Sequence, residues 1–85
     1  MSDHIENAVR LAPVIERVHG SHHPELTRVR ELTEQLPTTT EPESIFRELR
    51  EVTNNYALPD GACEAFTATY TALKAADAEH ATTHV

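Results

Sequence analysis

An all-α fold, a small antiparallel up-and-down bundle of about four short helices, is what this sequence predicts. Three observations carry it. Apolar residues recur at steps of three and four in four separate stretches, with no strand-like alternation between them. Prolines punctuate these stretches at their edges, at Pro24, Pro37, Pro42 and Pro59. The connections are a few residues long, which favours antiparallel neighbours.

The first helix is expected over residues 3–19. Ile5, Ala8, Ala12, Ile15 and Val18 form its stripe, widened by Val9, Leu11 and Val14. Ser2 or Asp3 can cap it, and Glu6 then suits the positive end of the helix dipole. Pro13 opposes it, because a mid-helix proline loses one hydrogen bond at a cost of about 3 kcal/mol. Either the helix kinks there or it begins near Ala12. Gly20 ends it.

The second helix is expected over residues 24–36, with Pro24 at its first position and Leu26, Val29, Leu32 or Thr33, and Leu36 facing inward. Pro37 and the following threonines stop it. The third runs over residues 42–54 from Pro42, with Ile45, Phe46, Leu49 and Val52 as its stripe. The fourth is expected from about Gly61 to Glu79, capped by Asp60, with Cys63 at its third position. Ala62, Phe66, Thr69 or Tyr70, Leu73 and Ala76 line one side. Residues 80–85 are expected to fray. The 85 residues make one domain, with a folded surface of about 5,000 Å² and a thin core that dimerisation or a metal could help.

Fourteen acidic residues against seven basic ones give a formal charge of −7. With no sizeable basic cluster, nucleic acid and anionic membrane are poor partners, and cations are mildly favoured. A lone cysteine rules out an internal disulfide and fits a reducing compartment. No stretch reads as a signal peptide or reaches the roughly 20 apolar residues that span a bilayer. The expected setting is cytoplasmic.

Chemistry concentrates in Val18–Leu26, VHGSHHPEL. His19, His22, His23 and Glu25 form a candidate metal set, because neutral imidazole and carboxylate suit zinc or non-haem iron. The competing reading is structural. His19, one turn beyond Ile15, can satisfy carbonyls at the helix end. Glu25 can complement a helix dipole, and His22 and His23 can be solvated. His80 and His84 lie four apart and share a possible face with Asp77, or are solvent-exposed; His4 looks solvated. In an antiparallel bundle His19, His23, Glu25, Thr53, Asn54, Asn55, Asp60 and Cys63 belong to one end, while His4, His80 and His84 belong to the other. Cys63, in the first turn of the fourth helix, is either a reactive thiol or a small core residue. There is no trustworthy serine–histidine–acid order and no glycine-rich phosphate loop.

Two segments carry a family resemblance. Val14–Leu26, VIERVHGSHHPEL, resembles the V-E-R-V-H stretch, with its following proline, of the hemerythrin-like di-iron proteins that repair iron–sulfur clusters under nitric-oxide and oxidative stress. Leu49–His80 resembles that family's last helix hairpin through Thr53-Asn54-Asn55, Pro59, Ala62-Cys63, and Phe66 with Tyr70, in the same order. Together they cover roughly half of the chain, whose length is that of the family's short form. The resemblance implies a helical bundle, a cytoplasmic setting, iron as cofactor and an iron–sulfur protein as client. It also marks departures. The H-x-x-x-E pairs that hold iron in full-length members are missing, and the residue four beyond His80 is His84. No double-cysteine segment of the kind many long members carry is present. Three functions therefore compete: iron-dependent cluster repair or iron delivery; a metal-free helical interaction module, with a homodimer as one arrangement; and a thiol or metal sensor centred on Cys63.

Overall fold

Four helices organise the described part of the chain, residues 3–83 of a computed structural model. They are α1 Asp3–His19, α2 Glu25–Gln35, α3 Pro42–Val52 and α4 Glu64–Thr83, with no strand among the described residues. The predicted all-α bundle is the observed one. Its longest dimension, 37 Å against 21 and 20 Å across, follows from α4, since twenty residues at 1.5 Å each span about 30 Å. The radius of gyration is 11.8 Å and the exposed surface 5174 Å², as expected for this length.

α1 starts at Asp3 and runs unbroken through Pro13, so the later start near Ala12 does not occur. The Ser2 cap lies outside the described residues. Ala8, Ala12 and Ile15 are buried and Ile5 packs against the core. Val18, expected in this stripe, is 61% exposed. The steps 5, 8, 12, 15 lead next to residue 19, so His19 takes the inward position and Val18 turns aside.

Pro24 stands one place ahead of α2 as its cap, with helical angles and a carbonyl that accepts the Thr27 N–H at 3.3 Å. Leu26, Val29, Leu32, Thr33 and Leu36 are buried as predicted. α3 begins with Pro42 in its first turn and buries Ile45, Phe46 and Leu49. α1 packs most broadly on α4 and next on α2, while the α3–α4 seam is thinnest. Cross-links between helices are ionic at the surface: Arg30 Nε to Glu16 Oε1 at 2.7 Å joins α2 to α1, and Arg28 Nη2 to Glu48 Oε1 at 2.9 Å joins α2 to α3. The Glu48 hydrogen bond raises the Arg28 pKa, and the same bond holds the Glu48 carboxyl below its ordinary range.

α4 begins later than predicted, at Glu64, and continues past Glu79 to Thr83; His84 and Val85, at the end of the expected frayed tail, lie outside the described residues. The delay has a local cause. The Ala62 N–H donates to the Pro59 carbonyl at 3.3 Å, with Gly61 at φ +79°, so Asp60 and Gly61 are occupied by a turn. Asp60 therefore does not cap the helix, and Cys63 does. A second irregular turn follows α3, where Asn54, Asn55 and Tyr56 all have positive φ, at 54°, 61° and 61°. Asparagine tolerates this region, but tyrosine is strained there by about 1–2 kcal/mol. Tyr56 is held by three links: the Thr53 Oγ1 accepts its N–H at 2.8 Å, its hydroxyl donates to Asp77 Oδ2 at 2.8 Å, and Arg50 Nε steadies the same carboxylate at 2.9 Å.

Candidate functional site

The end of α1, the start of α2 and the start of α4 meet around one buried ring, Phe66. The turn that brings them together is tight. The Gly20 N–H donates to the Glu16 carbonyl at 2.8 Å, and the His22 and His23 N–H groups both donate to the His19 carbonyl, at 3.0 and 2.9 Å. His19 is thus fixed by its own backbone at the last position of α1. Its ring packs edge-on to Phe66 with centroids 5.3 Å apart, and its Nε2 lies 3.1 Å from Cys63 Sγ.

Cys63 occupies the capping position of α4. Its carbonyl accepts the Thr67 N–H at 2.9 Å and its Sγ accepts the Phe66 N–H at 3.4 Å. Sulfur here does the work that serine or aspartate oxygen does at most helix starts. Cys63 is half-buried, neither the sealed core residue nor the fully open thiol.

The candidate metal set divides. His23 also packs edge-on to Phe66, at 5.6 Å and 81°, and its Nδ1 lies 3.2 Å from Glu25 Oε2. His22 is exposed. His19 and Cys63 thus make one pair and His23 and Glu25 another, and both imidazoles pack on Phe66. Among the described residues no group of three or more histidine, cysteine, aspartate or glutamate side chains is arranged to hold a metal ion. A di-iron centre needs several such donors converging from different helices, and this donor set does not fit one as it stands.

His4 and His80 lie at the opposite end, as the antiparallel topology requires, and His84 lies outside the described residues. His4 Nε2 is 3.9 Å from Glu79 Oε2, and His80 stacks at a tilt on Phe46 with centroids 5.5 Å apart. Thr53, Asn54 and Asn55, expected beside His19, instead build the turn that carries Tyr56 to Asp77. That carboxylate lies roughly 20 Å along α4 from Cys63, at 1.5 Å per residue. α3 is too short to return the chain to the His19 end, and the loop that follows covers the distance.

The chain matches no family model, no curated protein and no solved structure. The likeness to iron–sulfur repair proteins rests on the two segments alone. Among the described residues no helix is long and apolar enough to cross a membrane.

Phe66 is the residue whose role at this site the sequence reading passed over. It reads as core, and it is fully buried. Its second role is to orient both imidazoles and, through Tyr70 at a centroid distance of 4.9 Å and 65°, to tie them to the core. The available signal was register. His19 continues the stripe Ile5, Ala8, Ala12, Ile15, and Cys63 precedes the stripe Phe66, Tyr70, Leu73 by one turn, so antiparallel pairing aligns the two ends.

Proposed function

We propose that this chain is a metal-free helical interaction module, built on a scaffold like that of the iron–sulfur repair proteins but without their di-iron centre. One observation carries the reading: the imidazoles that would bind iron are committed in separate directions, His19 Nε2 to Cys63 and His23 Nδ1 to Glu25. The exposed apolar residues support it. Val18, 61% exposed, stands next to His19 in α1, and Leu58, 45% exposed, lies in the loop before α4. Apolar side chains left in water beside a rigid platform are a place for a partner to make contact. By the resemblance, that partner is an iron–sulfur protein client in the cytoplasm, and a second copy of the chain is the other occupant to test.

Metal content decides the first half. Protein expressed anaerobically in iron-rich medium should carry well below one iron per chain, and His19→Ala should leave that value unchanged. Stoichiometric iron that disappears in His19→Ala would overturn the proposal and restore iron-dependent repair. Sedimentation of the wild type beside a Val18→Asp, Leu58→Asp double variant tests the second half: self-association in the wild type, lost in the variant, identifies the copy as occupant. Pull-down with an iron–sulfur protein that retains the double variant as well as the wild type would remove these residues from the surface.

A further inference from the structure

Two helix ends of opposite field meet at the His19–Cys63 pair. His19 closes α1, where the negative end of the helix dipole favours a cation. Cys63 caps the twenty-residue α4, where the positive end favours an anion. Between these two ends Sγ and Nε2 stand 3.1 Å apart. The Phe66 N–H donates to the sulfur at 3.4 Å, and the Phe66 ring packs edge-on to the imidazole. A nucleophile, an adjacent base and a group that orients the base are the parts of an activated thiol. Both side chains are only half-buried, so a small reagent can reach them. Cys63 is the sole cysteine in the sequence, so an oxidised sulfur has no resolving thiol in the chain, and a stable product must take its second sulfur from outside.

The geometry points to Cys63–His19 as a modification site for low-molecular-weight disulfides. His19 Nε2 accepts the thiol proton. The Cys63 sulfur attacks one sulfur of the small disulfide, and a new S–S bond forms as the old one breaks. The departing thiolate takes the proton from His19 and leaves as a thiol. Cys63 is oxidised and the small disulfide reduced, with no further reagent. The product carries its new group at the start of α4, at the end of the bundle that also bears Val18, the residue before His19. The inference rests on the metal-free reading of His19 proposed above, since an Nε2 bound to iron could not take the proton, but it requires no docking partner; iron content tests that reading and the adduct rate tests this one.

The test uses the full reduced chain and bis(2-hydroxyethyl) disulfide, a neutral probe indifferent to the charge of −7. Intact mass should show one adduct, forming about tenfold faster in native protein than in the same protein unfolded in urea, since an ordinary thiol at neutral pH is only a few per cent thiolate. His19→Gln should bring the native rate down to the unfolded one with helicity unchanged. It should also remove the far-ultraviolet thiolate absorbance of the native state, as Cys63→Ser does. Equal native and unfolded rates, or a His19→Gln variant with full rate and full absorbance, would show that Cys63 only caps a helix. Should His19→Gln lose helicity, the native-versus-urea rates and the wild-type absorbance decide the matter by themselves.

Discussion

Alkaline pH should unfold this protein partly through Tyr70. The ring is 2% exposed, stacked edge-on to Phe66, and its pKa is pushed up to about 12, mainly by burial and secondarily by the Glu25 charge. The unfolded chain ionises a tyrosine near pH 10. Below that value both states hold the proton and the stabilisation is fully present. Above it the unfolded state loses its proton first, so stability falls as pH rises, until the folded state also ionises. Two pKa units at 1.36 kcal/mol each make the total loss about 3 kcal/mol. A domain of this size has roughly 4–13 kcal/mol in all, so the loss is large. Urea unfolding followed by far-ultraviolet circular dichroism, for wild type and Tyr70→Phe, should show the wild type losing about 1.4 kcal/mol more per pH unit than the variant between about pH 10 and pH 12. Taking the difference cancels Lys74 and Cys63. Tyr56, which burial and Asp77 push up still further, cancels too. Parallel stability curves for the two proteins would refute the burial argument. So would a tyrosinate absorbance titration in a Tyr56→Phe background that finds Tyr70 ionising near its ordinary value.

Three further substitutions follow from local geometry. Thr33 is fully buried and its Oγ1 has no hydrogen-bond partner, so Thr33→Val should raise stability by about 1 kcal/mol in urea titrations, the hydroxyl's desolvation being uncompensated. A Cβ at Gly20 would overlap the Glu16 carbonyl oxygen, so Gly20→Ala should cost about 1–3 kcal/mol and lower the melting temperature by roughly 4–8 °C per kcal/mol. Asn55 is exposed with φ 61°, so Asn55→Ala should destabilise by about 1 kcal/mol while Asn55→Gly stays near neutral. The contrast, read from two thermal melts, separates backbone strain from lost side-chain contact.

The stripes of α1 to α4 were legible because a helix repeats every 3.6 residues and burial selects apolar side chains at that period. Leu26, Val29, Phe46, Leu49, Phe66 and Leu73 lie where the period places them. Helix starts were less legible. The Pro59–Ala62 turn competed with the Asp60 cap, and a turn and a helix start can read alike until the backbone chooses. Val18 was misplaced because a two-sided stripe leaves its last turn undecided, and the inward position went to His19.

By itself, the sequence determined that the chain is a four-helix bundle, most of the residues that form its core, and that His4 and His80 stand at the end opposite His19 and His23, because periodicity and short connections are local properties. What only the tertiary structure decided is which lone pair meets which partner. Whether the VHGSHHPEL imidazoles converge on one point or part around Phe66 depends on helix rotation and crossing, quantities that ångström-scale packing between distant residues sets and that no spacing along the chain encodes. The sulfur that His19 meets is 44 positions away, and the packing of α1 against α4 sets the distance between them.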